Sequence, residues 1–286
     1  VPGEHTSGAV RGILRAVSYP VASYAQPWSA PGEGPRARIG VVVSHGFTGN
    51  PSSVRPFAEA LAAHGFRIEL PRLPGHGTSV RDMARTRYDD WRRTIADARD
   101  RLARECDAVV LSGLSMGGTI VLDLAGAEPD RIAGAIAINP ALLDREGLLA
   151  KLAPLIARVV PFVPGTAAGL AKNDAAKPGV DEHAYEWVPT RAASSLMANL
   201  PRIRAGLRGC KVPLLVAGST QDHSVPPANA RAVPGLVGEG GHVEMLPLER
   251  SYHLATLDYD RDLLVERAAA FVDRVAQKPA TATAAG

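Results

Sequence analysis

The chain has 286 residues, 46% of them hydrophobic and 21% charged, which is too apolar for a disordered chain and long enough for one α/β domain carrying an insertion. The net charge is only +3, and the basic residues are interleaved with Asp and Glu; even the densest stretch, Arg85 to Arg104, reads as the solvated face of a helix and not as a nucleic-acid site. Cys106 and Cys210 form no CxxC pair and stand apart from any His cluster, so neither a disulfide framework nor a metal site is expected.

Residues 1–37 read as an N-terminal extension, with a short helix at Val10 to Val17 followed by a Pro- and Gly-rich stretch ending at Pro31-Gly-Glu-Gly-Pro35. No basic region followed by an apolar run and a cleavage site marks this terminus, and a cytoplasmic protein is expected. From Ile39 the pattern changes to apolar runs alternating with amphipathic stretches. Ile39 to Ser44 is a strand covered on both faces. Ser52 and Ser53 are placed to cap a helix bearing Val54, Phe57, Ala58 and Leu61, which Gly65 stops. A strand at Phe66 to Leu70, the loop Leu73 to Thr78, a helix with the stripe Trp91, Ile95, Ala98 and Leu102, and a strand at Ala108 to Leu111 follow. The apolar run from Ala108 to Ala125 is broken by Gly113, Gly117, Gly118 and Asp123, so it is no membrane span. After Ser115 a helix runs to about Ala127, and Ile132 to Ile138 is another buried strand.

The alternation then breaks. Residues 140–201 show no convincing strand but carry Leu148, Leu152, Leu155, Ile156 and Val159 at helical spacing, with a second helix near Ser194 to Asn199. Strands resume at Pro213 to Ala217 and His242 to Leu246, before a last helix with Leu264, Ala268, Phe271 and Val275. The pattern predicts a mostly parallel sheet with helices on both faces, its core formed by residues 38–139 and 202–277, with a small helical cap inserted at 140–201 and a disordered tail at 278–286.

The sharpest chemical signal is Gly113-Leu-Ser-Met-Gly117, a G-x-S-x-G sequence between a buried strand and a helix. A serine on so tight a turn needs small residues on either side, and Ser115 is the candidate nucleophile; the alternative is a glycine-rich turn whose serine merely caps the helix. A serine hydroxyl needs a base within reach, at the carboxyl edge of the sheet. His253 lies beyond the strand His242 to Leu246, at that edge, whereas His242 opens the strand at the opposite end. Asp222 follows the strand Leu214 to Ala217 and is the candidate acid; Asp258 and Asp260 are the alternatives, but they come after the histidine. Two backbone amides suit a developing oxyanion: Met116 N–H at the helix start, and Phe47 N–H in the loop His45-Gly-Phe-Thr-Gly49. His45 and His76 read as structural residues of their loops.

Together these residues resemble the bacterial carboxylesterase and monoacylglycerol lipase family of the α/β-hydrolase superfamily. The likeness is carried by His45 to Gly49, Leu70 to Thr78, Gly113 to Gly118, Asp222-His-Ser-Val-Pro-Pro227 and Ser251 to Asp260, and it covers roughly residues 38–276. It implies the triad Ser115, Asp222 and His253, the Phe47 and Met116 oxyanion amides, no cofactor, and a cap over an acyl pocket, with Ala184-Tyr-Glu186 and Pro189-Thr190 as the cap's return. The expected partner is a small ester with a lipophilic acyl group, a monoacylglycerol for example. A thioesterase or acyltransferase would use the same triad, and a ligand-binding protein without catalysis would keep the pocket. Dehalogenase and epoxide hydrolase chemistry is disfavoured because the elbow holds Ser115 where those enzymes resemble one holding Asp.

Overall fold

The computed structural model describes residues 18–144 and 155–277. A seven-stranded sheet runs through the molecule in the order β1-β3-β2-β4-β5-β8-β9. Its strands are β1 (Trp28–Ala30), β2 (Ile39–Ser44), β3 (Arg67–Leu70), β4 (Ala108–Leu114), β5 (Gly134–Ile138), β8 (Leu214–Ser219) and β9 (Val243–Leu248). All neighbours pair in parallel except β1, which runs antiparallel to β3. The expected extension at 1–37 therefore contributes an edge strand. Trp28 pairs with Leu70 there, and the Arg55 guanidinium lies 5.1 Å from the Trp28 ring centroid. The helix expected at Val10 to Val17 and the tail at 278–286 lie outside the described residues.

Alternate residues of each strand feed two cores, as the two-residue period of a pleated strand requires. Val42, Leu111, Ala137 and Val216 face α3 (Tyr88–Leu102), α4 (Met116–Ala127) and α6 (Thr190–Leu207). Val41, Val110, Ile136 and Leu215 face α1 (Arg55–Ala63) and α8 (Arg261–Ala276). Helix α1 is led in by a turn that Asn50 caps, its side chain accepting from Ser52 N–H at 3.0 Å, so Asn50 takes the place expected for Ser52 and Ser53.

Helix α4 is buried from Met116 to Ala125, which forces its one charged side chain into the interior. The Asp123 carboxylate is 2% exposed and is matched by Tyr88 Oη–H at 2.9 Å, Arg92 Nε–H at 2.9 Å and a two-pronged Arg202 at 2.8 Å. Asp123→Ala leaves the Tyr88 hydroxyl without this acceptor and unpairs Arg202. We expect it to lower stability by about 3 kcal/mol, read as a fall in Tm.

Between β5 and β8 the chain leaves the sheet. Residues 155–159 are helical (α5), and the strands β6 (Phe162–Pro164) and β7 (Trp187–Pro189) pair antiparallel, a hairpin-like ladder where the sequence showed no strand. Three residues apiece, with prolines at 164 and 189, is too little for the periodicity to register. The second helix is far longer than Ser194 to Asn199. Helix α6 runs through Pro201, and the expected limit at 201/202 falls within it, because Leu196, Leu200, Ile203 and Leu207 continue one buried stripe. Of the expected stripe in 148–159, Leu148 and Leu152 lie outside the described residues, while Leu155 and Val159 are 59% and 80% exposed. The latter two do not pack on the core. Among the described residues no helix is long and apolar enough to cross a membrane.

Candidate active site

Strand register brings the carboxyl ends of five strands to one edge: Ser44 pairs with Gly113, Leu114 with Ile138, Ile138 with Ala217, and Ser219 with Leu248. Ser115 follows β4 at that edge with φ of 57° and ψ of −119°, a left-handed conformation that L-residues rarely adopt. Its N–H donates to Ile138 O at 2.8 Å, which ties the turn to β5. The turn exists only because its neighbours lack side chains. A Cβ on Gly113 would lie 2.3 Å from the Gly117 carbonyl carbon, and one on Gly117 2.5 Å from Ser44 O. Gly46 passes close too, its Cβ position being 3.2 Å from the Ser115 Cβ.

The loop after β2 therefore runs beside the serine. Among the described residues neither Phe47 N–H nor Met116 N–H has a hydrogen-bond partner, and Met116 opens α4, where the helix dipole favours negative charge. The loop is held from below by His45. Its Nε2 accepts from Leu73 N–H at 3.1 Å and its Nδ1–H donates to Gly46 O at 3.0 Å. Both ring nitrogens are thus used by a neutral imidazole, and burial, with help from Arg72, lowers its pKa to about 4. His76 packs edge-on at 5.0 Å between ring centroids, equally buried, with Nδ1–H donating to Pro74 O. His45 thus fastens the loop through both ring nitrogens, whereas His76 Nε2 has no hydrogen-bond partner among the described residues.

His253 lies in the loop after β9 and Asp222 in the loop after β8. The imidazole Nδ1–H donates to Asp222 Oδ2 at 2.7 Å, and Asp222 Oδ1 accepts from the Ser224 and Val225 amides at 2.9 and 2.7 Å. Burial works to lower the His253 pKa, but the Asp222 hydrogen bond and the charges of Asp222, Glu182 and Asp174 outweigh it and raise it above the ordinary 6.5. Among the described residues the Ser115 hydroxyl makes no hydrogen bond; such contacts commonly tighten only with substrate bound. His242 is exposed at the amino end of β9, its carbonyl accepting from Leu214 N–H. Asp258 and Asp260 do not bond His253. They take backbone amides, Asp258 from Ala176, Lys177 and Tyr252, and Asp260 from Arg250. Among the described residues no cluster of His, Cys, Asp and Glu is grouped to ligate a metal ion.

Residues 35–260 match the family described as serine aminopeptidase, S33. The chain belongs to this family. It is 37% identical over 266 residues to the thermostable monoacylglycerol lipase of Bacillus sp. (strain H-257), an alignment spanning 88% of this chain and 96% of that one. A solved structure from work on the metagenome-derived lipolytic enzymes LipS and LipT has 38% identity and a TM-score of 0.80, covering 89% of this chain and 100% of that chain. The monoacylglycerol lipase of Paleococcus ferrophilus shares the fold at a TM-score of 0.73 and 21% identity, covering 87% of this chain and 99% of that one. The sheet, its order and these likenesses make this an α/β-hydrolase.

Within this hydrolase, two residues at the site carry no motif and were invisible to the sequence reading. Asn139, with φ of 44°, ends β5; its Nδ2 donates to His253 O at 2.9 Å and to Ser219 Oγ at 3.0 Å, and its Oδ1 accepts from Ser219 N–H at 2.7 Å. It knits three strand ends together. Glu182 comes from the segment between β6 and β7, and its Oε2 lies 3.5 Å from where a Gly49 Cβ would stand, over the loop after β2. Burial pushes its carboxyl up to about 7, with the positive charge of His253 opposing and the charges of Asp181 and Asp174 reinforcing. No local pattern marks Glu182, since only the fold brings residue 182 within electrostatic reach of His253.

Proposed function

We propose that this protein hydrolyses carboxylic esters of lipophilic acyl groups, monoacylglycerols among them, through an acyl-enzyme on Ser115. The observation that carries the reading is the 2.7 Å Asp222–His253 bond at the same strand edge as the strained Ser115 turn. In this reaction His253 takes the Ser115 proton as the hydroxyl oxygen attacks the ester carbonyl, and the Phe47 and Met116 amides donate to the resulting oxyanion. The intermediate collapses, the C–O bond to the alcohol breaks, and the alcohol leaves with the proton from His253. Water, deprotonated by the same imidazole, then attacks the acyl carbonyl and frees the acid and Ser115. Asp222 fixes the tautomer with Nδ1–H and stabilises the imidazolium.

The described residues 155–189 support a cap over this edge. They are fastened to the core loops by Asn50 Nδ2–H donating to Glu182 O at 2.9 Å, Tyr185 N–H donating to Thr48 O at 3.1 Å, and Tyr185 Oη–H donating to Gly75 O at 3.0 Å. Glu182 suits the alcohol half of the substrate, since a carboxyl poised near neutrality can accept from, or donate to, free hydroxyl groups. The test is a profile across monoacylglycerols, diacylglycerols, p-nitrophenyl esters of graded chain length and acyl-CoA. Lipophilic monoesters should give the highest kcat/KM and acyl-CoA little. In Glu182→Leu the KM for a monoacylglycerol should rise about tenfold while that for p-nitrophenyl acetate stays unchanged, the loss of one hydrogen bond to a charged partner. A thioester preference, or an equal loss on both esters, contradicts the assignment.

A further inference from the structure

The acid and the base sit on separate loops, joined by the Nδ1–Oδ2 hydrogen bond and, nearer the strand ends, by Ser219 Oγ–H donating to Tyr252 O at 2.7 Å and Gln221 Nε2–H donating to Glu249 O at 2.7 Å. Something must keep those loops in register, because a displacement of about 1 Å at a catalytic group can cost on the order of 10²-fold in rate. Asp174, between β6 and β7, is placed to do so. Its Oδ2 accepts from the His223 N–H at 3.0 Å and its Oδ1 from the His223 Nδ1–H at 2.8 Å. Its carbonyl accepts from Leu254 N–H at 2.9 Å. His223 follows Asp222 in the chain, and Leu254 follows His253. One residue from outside the sheet thus grips the neighbour of the acid and the neighbour of the base.

We propose that Asp174 is the positioning residue that holds Asp222 and His253 in working register, so that the segment between β6 and β7 helps to assemble the site it lies beside. The segment is gripped in return. Asp258 accepts from Ala176 N–H at 2.7 Å, Lys177 N–H at 2.9 Å and Tyr252 N–H at 2.9 Å, which ties the residue before His253 to the same stretch. His223 also meets the Tyr252 ring edge-on, with centroids 4.5 Å apart. Residues 252 and 254, on either side of the base, and residue 223, beside the acid, are all bonded to or packed against 174–177 or each other. The Asp174 side chain is 5% exposed, so its carboxylate is shielded from competing water. Its charge also contributes to holding the His253 imidazole above its ordinary range.

This inference rests on the triad reading, and its test separates the two. With p-nitrophenyl butyrate as substrate, Asp174→Asn should lower kcat by about 10- to 100-fold and change KM by less than about threefold, because the variant disturbs the reacting groups and not the pocket. His223→Phe, at a largely exposed side chain that threatens folding little, should lower kcat by about threefold to tenfold, and His223→Gln, which keeps a side-chain donor, should restore most of it. In a His253→Ala background both Asp174→Asn and His223→Phe should change the residual kcat by less than about twofold, since a residue that acts through His253 has nothing left to act on. The proposal is overturned if soluble Asp174→Asn and His223→Phe keep kcat within about threefold of the parent, or if they lose the same factor in the His253→Ala background. If Asp174→Asn fails to fold, the His223 pair decides alone. Near-normal activity in His253→Ala itself would instead sink the triad reading.

Discussion

Replacing His253 with Ala lowers kcat on an activated ester by roughly 10³ or more while the protein stays folded, leaving only what binding and the oxyanion donors supply. The expectation follows from position and bonding together. His253 is buried at the edge where Ser115 turns, with its Nδ1–H committed to Asp222 and the other ring nitrogen left for the serine. His242 provides the control. It is exposed at the amino end of β9, so His242→Ala should leave kcat within about twofold and stability within about 0.5 kcal/mol. The base must be neutral to accept a proton, so kcat/KM rises with pH through the His253 pKa. With that pKa raised above 6.5, the acid limb of the profile should lie above about pH 6.5 and move to lower pH in Glu182→Gln, which removes one of the charges responsible. A limb unmoved by that change would separate Glu182 from the base.

Gly117→Ala is expected to damage both stability and catalysis. The new Cβ would stand 2.5 Å from Ser44 O and 2.8 Å from His45 O, both backbone atoms of β2 and its loop, so no side chain can swing aside. The start of α4 must move away from β2, and it carries Ser115 and the Met116 amide with it. We expect a loss of about 3 kcal/mol in stability together with a fall of roughly 10² in kcat. Gly118 is the contrasting position. A Cβ there meets Gly113 O at 3.0 Å and Ile138 O at 3.2 Å, tight contacts that small shifts relieve, so Gly118→Ala should keep most of both. Equal effects at the two positions would show that the turn is not held by the approach of β2.

What could be read from the residues was whatever a local pattern dictates. Continuous apolar runs marked β2, β4, β5 and β8, and the G-x-S-x-G turn between a strand and a helix fixed where a nucleophile could stand. Once the strands were known to be parallel, the carboxyl-edge rule separated His253 from His242 with no further information. The parts that escaped depend on contacts between distant segments. β1, β6 and β7 are three-residue strands whose partners decide them, and no window that short shows a period. Helix α6 extends well beyond the expected Ser194 to Asn199 and runs through Pro201, because its buried stripe of Leu196, Leu200, Ile203 and Leu207 outweighs the proline. The helical spacing at Leu155 to Val159 meets a helix at 155–159, and its exposed Leu155 and Val159 show that this stripe does not pack on the core. Asn139, Asp174 and Glu182 are single polar residues whose meaning comes from strands and loops more than thirty residues away.

Covalent labelling tests most directly whether Ser115 is the nucleophile. Incubation with a fluorophosphonate, followed by digestion and mass spectrometry, should place one adduct per chain on the peptide containing Ser115, with activity lost in proportion to labelling. Ser115→Ala should take up no label and have kcat lowered by roughly 10⁴ or more. An adduct on any other residue, or a folded Ser115→Ala protein that still turns over ester at near the parent rate, would contradict the account.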